Sequence, residues 1–244
     1  MVYQGSKKKY VKYIVPILQE AIDKNNISMF IDGCVGGCHI IEQVSCQNRL
    51  GIDNNKYLIA FLDYIAHGGK VPEETPSKEH FLEVKDNKDK FDDWYVGMIE
   101  HLCSFNGGGF HKSYGCVMQA SGRNGYIERR NNILKQAPNL KGIEFKYQDI
   151  NDLDVSGAVV YIDPPYNKTS KYDSLIGNPF DYERFWDAVR RLSAENYVFV
   201  SEEAAPQDFR AVWTLETKRT IKGSVKIATE NLFVYKGGLS DGTL

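Results

Sequence analysis

The stretch MFIDGCVGG, residues 29–37, joins a short apolar run to a glycine-rich turn. Before it, apolar residues recur at three- and four-residue spacing over residues 6–24, the period of an amphipathic helix. After it, we predict a brief helix near 38–46, a strand at Arg49–Asp53 and a second amphipathic helix from Tyr57. Strand, glycine turn, helix, strand and helix in this order indicate a parallel α/β sheet.

The same alternation returns in the second half of the chain. Its predicted elements are a helix at 126–137 that ends at Pro138, strands at 143–147 and 158–162, a helix at 181–194, a strand at 197–200, and two last strands near 211–217 and 230–236 joined by a connection at 218–224.

Residues 67–125 interrupt this alternation. Residues 73–93 hold eight acidic residues and four lysines, and residues 104–125 are rich in Gly, Ser, Asn and aromatic residues. The second stretch is a poor core builder and a plausible binding surface. We therefore predict a discontinuous catalytic and cofactor-binding domain formed by residues 1–66 and 126–244, with residues 67–125 as an insert.

The composition is that of an ordinary globular chain of 244 residues, 42% hydrophobic and 25% charged. It excludes a disordered chain and a disulfide-stapled miniprotein. No apolar run approaches the roughly 20 residues of a membrane helix, so we expect no membrane association. The five cysteines form no C-x-x-C pair. We therefore expect reduced thiols inside the cell, and no metal site.

Asp163-Pro164-Pro165-Tyr166 directly follows the apolar strand predicted at 158–162. Open α/β sheets place their ligand crevice at the carboxyl ends of such strands. A rigid Pro-Pro turn that only ends the strand is the alternative interpretation. The tetrapeptide favours transfer of a methyl group to an exocyclic amino nitrogen, because each of its residues has a use in that reaction.

An adenine or cytosine amine is a weak nucleophile, since its lone pair is delocalised into the ring. The Asp163 carboxylate and the Pro164 carbonyl can both accept its N–H bonds and direct the lone pair toward an electrophilic methyl group. Consecutive prolines stiffen the loop, and Pro165 has no amide hydrogen to compete. Tyr166 offers a flat face on which an extruded base can stack. We predict these four residues as the catalytic residues.

The glycine turn at residues 32–37 fits either a nucleotide-type cofactor or a plain tight turn, because it is not G-x-G-x-x-G. Asp53 ends the second predicted strand, 17 residues beyond Gly36. Nucleotide-binding folds place a ribose-binding acid near this position. A cap of the helix that follows is the alternative role for Asp53.

These motifs resemble those of the Dam-type (class alpha, D12) DNA adenine-N6 methyltransferases, which include phage-borne members. Tyr3-Gln4-Gly5-Ser6-Lys7 resembles the opening aromatic-x-Gly-Gly-Lys motif of the family, and residues 30–37 resemble its cofactor loop. Asp53 matches the ribose acid, residues 163–166 match the catalytic tetrapeptide, and Gln148-Asp149-Ile150 stands where the family borders the cofactor adenine. Tyr3, Ser6 and Cys34 replace the commoner Trp, Gly and Phe.

The resemblance implies a Rossmann-like, S-adenosylmethionine-dependent methyltransferase sheet in which the insert is the target-recognition domain. It also implies the residues that contact the cofactor: Tyr3, Lys7, Asp32, Gly33, Cys34, Val35, Gly36, Gly37, Asp53, Asp149, Ile150 and Asp163.

The function implied by this resemblance is site-specific methylation of the N6 amine of a flipped adenine in double-stranded DNA. We expect this in the cytoplasm of a bacterial or phage-infected cell, with GATC as the family-based guess for the target. Cytosine-N4 or RNA adenine methylation and a catalytically silent DNA-binding relative remain alternatives. Cytosine-C5 methylation is excluded, because no cysteine follows a proline.

The net charge of -2 argues at first against a nucleic-acid partner. This net charge, however, is the sum of an acidic stretch at residues 73–93 and of basic segments elsewhere in the chain. Seven basic residues lie between Lys112 and Lys146 against two acids, and residues 218–226 hold four basic residues and no acid. Such segments can bind phosphates. The residues predicted to contact DNA are Phe105, Asn106, Phe110, His111, Lys112, Ser113, Tyr114, Arg123, Arg129, Arg130 and Lys222.

For several of these residues a role other than DNA binding stays open. Phe110 and Tyr114 can equally form a small core of the insert, and the basic residues can belong to ordinary solvated helix faces.

Overall fold

A computed structural model describes residues 1–3, 5–116, 122–165, 180–221 and 224–242. Its helices are α1 (Val11–Lys24), α2 (Lys56–Ala66), α3 (Lys78–Asp86), α4 (Asp93–Cys103), α5 (Gly125–Leu140) and α6 (Tyr182–Ser193). Its strands are β1 (Met29–Asp32), β2 (Asn48–Asp53), β3 (Ile143–Tyr147), β4 (Val159–Ile162), β5 (Tyr197–Glu202), β6 (Phe209–Ile221) and β7 (Ser224–Tyr235).

The strands form one seven-stranded sheet in the order β3-β2-β1-β4-β5-β7-β6. Strand β2 pairs in parallel with β3, and β4 pairs in parallel with β1 and β5. Strand β7 runs antiparallel to both β5 and β6. This mixed sheet confirms the α/β fold class predicted from the alternation of strands and helices.

One compact unit comprises residues 1–11, 35–43 and 49–147. Within it, α2 packs against α4, α5 and β3, and α3 packs against α4. Gly97 makes the α2–α4 contact possible, because a Cβ there would lie 2.0 Å from the carbonyl oxygen of Tyr57.

Three side chains fix the extended residues that lead into α3. The Tyr126 hydroxyl donates to the Pro72 carbonyl at 2.7 Å, the Tyr114 hydroxyl donates to the Pro76 carbonyl at 2.5 Å, and Asn124 Nδ2 donates to Thr75 Oγ1 at 2.9 Å.

A second compact unit comprises residues 12–34, 44–48 and 148–244. Its strands β1, β4 and β5 are almost wholly buried, as expected of parallel strands whose sequences are continuous apolar runs. Helix α6 packs against β5 and β7. The Tyr197 hydroxyl donates to Asn25 Oδ1 at 2.8 Å and so attaches β5 to the residues that follow α1.

The connection predicted at 218–224 is wrong for most of its length, because β6 and β7 continue into it as a hairpin. Their ladder runs from Phe209↔Tyr235 to Ile221↔Ser224, with a register shift between Ala211 and Trp213. The polar composition of this segment resembles a loop, but Thr220 and Ile221 within it and Val225 directly after it favour paired strands.

Three helix predictions also differ from the structure. Helix α1 begins at Val11 rather than near residue 6. The helix predicted at 38–46 is a single 3₁₀ turn at Ile41–Gln43, because Cys38 has a φ of 62°, outside the helical region. Helix α5 continues through Pro138 to Leu140, since a proline near a helix end removes only one hydrogen bond.

The insert boundaries stay a prediction. Residues 67–125 belong to the first compact unit, where α3 and α4 bury apolar side chains such as Phe81, Val96 and Leu102. Within the described ranges, no helix is both long and apolar enough to cross a membrane.

Candidate cofactor and catalytic site

The aromatic ring of Tyr3 packs directly on the glycine loop in the first unit. A Cβ at Gly36 would lie 2.8 Å from Tyr3 Cε1, and one at Gly37 would lie 3.0 Å from Tyr3 Cβ. Gly36 also has a φ of +43°, in the left-handed region that glycine tolerates. The Val35 amide donates to the Ile52 carbonyl at 2.9 Å, which fixes the loop to β2. The structure thus brings Tyr3, Gly36 and Gly37 together.

Asp53, at the carboxyl end of β2, accepts hydrogen bonds from this loop and from the start of α2. The Gly36 amide donates to Oδ2 at 3.2 Å, and the Asn55 amide donates to Oδ1 at 3.0 Å. The side chain is 9% exposed, and burial raises the pKa of its carboxyl group while these backbone bonds oppose the shift. The cap of α2 is Asn55 rather than Asp53.

Two further residues of the same unit were not predicted from motifs. Gln136 Nε2 donates to the Gly37 carbonyl at 2.9 Å and so supports the glycine loop. The ring of His101 lies with its centroid 5.6 Å from that of Tyr3. Lys7, which was predicted, is buried with 6% of its side chain exposed. No sequence signal marks Gln136 or His101, since both belong to helices that match no motif.

In the second unit, the residues predicted from the glycine loop and from the end of β3 meet. A Cβ at Gly33 would lie 2.6 Å from Ile150 Cδ1, and the Gly33 amide donates to the Tyr161 carbonyl at 2.7 Å. Asp149 caps the short turn at Ile150–Asp152 by accepting from the Asn151 amide at 2.8 Å. Asp32 ends β1 with a buried side chain, in register with Tyr161 of β4.

The predicted catalytic loop begins directly after β4, at Asp163. Beside it, the Tyr161 hydroxyl lies 2.9 Å from Ser201 Oγ. Burial, and secondarily the Asp163 carboxylate, raise the pKa of Tyr161 well above its usual value, so this phenol stays neutral. The Tyr182 hydroxyl donates to the Pro165 carbonyl and attaches the loop to the start of α6. Tyr166 lies outside the described residues.

The residues predicted to contact DNA differ in exposure. Phe105 is 56% exposed, Ser113 and Arg123 are exposed, and Asn106 adopts a φ of 53° beside Phe105. Arg123 pairs with Glu128 at 2.6 and 2.9 Å. Lys112 and His111 are half-buried, and burial followed by the nearby Lys112 lowers the pKa of His111. Lys222 lies outside the described residues.

The other predicted DNA contacts have internal partners. Phe110 and Tyr114 pack against Phe81, and their ring centroids lie 5.3 and 5.7 Å from that of Phe81. This packing agrees with the alternative in which Phe110 and Tyr114 form a small core of the insert. Arg129 is 7% exposed and donates to the carbonyls of Leu102 and Gly115 at 2.7 and 3.2 Å. Arg130 donates to the Val71 carbonyl at 3.1 Å and pairs with Glu73. Their role in DNA binding stays a prediction.

A sheet whose last strand is antiparallel, a glycine loop after β1, an acid that ends β2 and Asp-Pro-Pro after β4 define the class of S-adenosylmethionine-dependent methyltransferases. The sequence model of the D12 class N6 adenine-specific DNA methyltransferases matches residues 3–193. The chain therefore belongs to that family, and S-adenosylmethionine is its methyl donor.

The residues present fit this cofactor. Gly33 and Gly36 leave no room for a Cβ, and such bare backbone is what a closely approaching nucleotide needs. The buried Asp53 carboxylate retains lone pairs that ribose hydroxyl groups can use. In the described part of the chain, no group of three or more His, Cys, Asp or Glu side chains could hold a metal ion.

Two of the solved structures similar to this chain are methyltransferases of low identity. The rRNA methyltransferase aviRa from Streptomyces viridochromogenes is 11% identical, with 95% of this chain and 85% of that chain covered and a TM-score of 0.41. The magnesium protoporphyrin IX methyltransferase from Synechocystis PCC 6803 with bound cofactor is 12% identical, with 93% and 79% covered and a TM-score of 0.35. At these scores the likenesses carry no argument about substrate. No match was found among curated proteins.

Proposed function

We propose that this chain methylates the N6 amine of an adenine flipped out of double-stranded DNA. The observation that carries the proposal is the position of Asp163-Pro164-Pro165, directly after a buried parallel strand and attached through the Pro165 carbonyl to Tyr182. Membership of an adenine-specific DNA methyltransferase family supports the choice of base and of nucleic acid.

When bound, S-adenosylmethionine supplies an electrophilic methyl group. The Asp163 carboxylate and the Pro164 carbonyl accept the two N–H bonds of the adenine amine, which directs the nitrogen lone pair toward the methyl carbon. With the cofactor bound, the amine nitrogen would take up the methyl carbon as the bond from that carbon to sulfur breaks, and the methylated nitrogen would lose one proton to water. Tyr166 is predicted to stack on the flipped base and to hold it in this orientation.

In this proposal, exposed residues of the insert and the hairpin of β6 and β7 contact the duplex. Phe105 is suited to fill the gap left by the flipped base, and Lys112 and Arg123 are suited to phosphates. The hairpin segment at residues 218–226 holds four basic residues and no acid, a composition that favours contact with phosphates.

The proposal is tested by incubating the protein with labelled S-adenosylmethionine and either duplex DNA or RNA, followed by nucleoside analysis. We expect N6-methyladenine from DNA. Asp163→Ala should lower the rate by about 100- to 1000-fold, the range seen when one group that stabilises a transition state is removed. Asp187→Ala is the matched control, because Asp187 is a carboxylate exposed on α6.

Near-wild-type methylation by Asp163→Ala would contradict the catalytic assignment. N4-methylcytosine, or label in RNA alone, would favour the other amino-methyltransferases. Salt-sensitive DNA binding without transferred label would indicate a catalytically silent relative.

A further inference from the structure

His101 is a buried polar residue that the proposed reaction leaves without a role. It lies on α4 with 3% of its surface exposed, and neither ring nitrogen has a hydrogen-bond partner in the described part of the chain. The nearest carboxylate oxygen, Glu100 Oε2, is 3.9 Å from Nε2, too far for a hydrogen bond. Buried nitrogens without partners destabilise a fold, so their presence calls for a reason.

The surroundings of His101 are the cofactor residues of the first unit. Its ring lies 5.6 Å from that of Tyr3, with an angle of 37° between the planes, and Tyr3 covers Gly36 and Gly37. His101 is also within electrostatic range of Asp53. Burial, the largest effect, raises the pKa of Asp53, and His101 is among the groups that oppose this shift.

Glu100, the preceding residue on α4, connects the same place to the surface loop of the insert. Its Oε2 accepts from Asn55 Nδ2 at 3.5 Å, and its Oε1 accepts from the Phe110 amide at 3.5 Å. Asn55 in turn donates its amide to Asp53. These contacts hold the helix that carries His101 at the end of β2, where the ribose acid lies.

We propose that His101 is a cofactor-contacting residue, contributed by the predicted insert, that hydrogen-bonds a ribose hydroxyl of S-adenosylmethionine beside Asp53. An imidazole nitrogen can donate to or accept from a hydroxyl, and a hydroxyl arriving with the ligand gives the buried ring the partner that the described residues do not provide. The inference rests on the cofactor of the family and is independent of the nucleic acid that is methylated.

His101→Phe tests the inference, because phenylalanine keeps an aromatic ring of similar size against Tyr3 and carries no ring nitrogen. We expect the unliganded variant to melt at the same temperature as the wild type or higher, since replacing an unpaired polar group by an apolar one of similar shape is neutral or stabilising. Its dissociation constant for S-adenosylhomocysteine, measured by calorimetry without nucleic acid, should rise by about 3- to 12-fold, the loss of one hydrogen bond.

His80→Phe is the matched control from the same predicted insert. The ring nitrogens of His80 both have partners, Glu83 Oε2 at 3.0 Å and the Tyr95 hydroxyl at 2.8 Å. This variant should lower the melting temperature and leave the dissociation constant unchanged. His101→Gln retains a hydrogen-bonding group and should bind S-adenosylhomocysteine more tightly than His101→Phe does.

The ribose assignment has its own readout. Two analogues of S-adenosylhomocysteine are used, one without the 2′-hydroxyl and one without the 3′-hydroxyl. The analogue that lacks the hydroxyl bound by His101 should have the same dissociation constant for the wild type and for His101→Phe. Wild-type affinity of His101→Phe, or a fall in its melting temperature with unchanged affinity, would overturn the inference. If His101→Phe weakens the binding of the parent ligand and of both analogues by the same factor, the assignment of His101 to a ribose hydroxyl is overturned.

Discussion

Replacing Gly36 by alanine tests the contact between Tyr3 and the glycine loop. Two costs are expected. Gly36 has a φ of +43°, and a left-handed conformation costs a residue with a Cβ about 1–2 kcal/mol. The new Cβ would also lie 2.8 Å from Tyr3 Cε1, and accommodating an extra methyl group in such a packed place costs about 1–3 kcal/mol. The total expected loss is about 2–5 kcal/mol.

Gly68→Ala separates these two costs. Gly68 has a φ of +86°, but no atom lies within 4 Å of its expected Cβ. This control should therefore lose only the conformational part, about 1–2 kcal/mol. Both variants are compared by urea unfolding, from the midpoint and the slope of the transition. Binding of S-adenosylhomocysteine should weaken only in Gly36→Ala, because only there is the Tyr3 ring displaced.

A double-mutant cycle with Tyr3→Ala completes the experiment. In the Tyr3→Ala background, Gly36→Ala should cost no more than Gly68→Ala does in the wild type, because the colliding ring is gone. If Gly36→Ala and Gly68→Ala cost the same in the wild type, or if the cycle is additive, the packing of Tyr3 on the glycine loop is refuted.

Three further variants and one control test the packing and electrostatics of the first unit. Arg129→Met should lower the free energy of unfolding by about 2–4 kcal/mol, because buried carbonyls lose a charged donor, whereas Arg123→Ala should leave the urea midpoint unchanged. Gly97→Ala should cost more than about 3 kcal/mol in the same assay, since its Cβ would lie 2.0 Å from the Tyr57 carbonyl oxygen, an atom of the backbone. Asp53→Asn should weaken S-adenosylhomocysteine binding, and it leaves one of the two backbone donors of this carboxylate without an acceptor. Burial raises the folded pKa of Asp53, so its contribution to stability is greatest in acid and is lost as the pH rises through that pKa. The free energy of unfolding of Asp53→Asn relative to the wild type should therefore rise with pH, and a pH-independent difference would contradict this cause.

Local sequence patterns predicted the parallel strands well. The apolar runs that became β1, β4 and β5 are long enough to be buried, and polar residues directly after them limit their length to that of strands. Asp53 was found because it ends β2, and Asp163 was found because it directly follows β4. Patterns predicted the segment after Gly37 less well, because the positive φ of Cys38 depends on the packing of the loop and not on a residue preference.

Tertiary contacts explain what the sequence could not predict. The hairpin of β6 and β7 forms from a segment of loop-like composition, because each strand provides the hydrogen bonds of the other. The burial of Arg129 depends on carbonyls of Leu102 and Gly115, which lie far from it in the sequence. His101 lies near Tyr3 only after α4 has packed, and no spacing along the chain reports such a contact.

The attachment of residues 72–76 has an evolutionary consequence. Pro72 and Pro76 are held through their carbonyl groups, and Thr75 through its hydroxyl, so none of the three anchors uses a charged side chain. Glu74 can therefore change sign without loss of an anchor, whereas Glu73 also pairs with Arg130. Substitutions here can thus change the charge of this flank, and with it the strength of the attraction to a polyanion, while the path of the backbone stays the same.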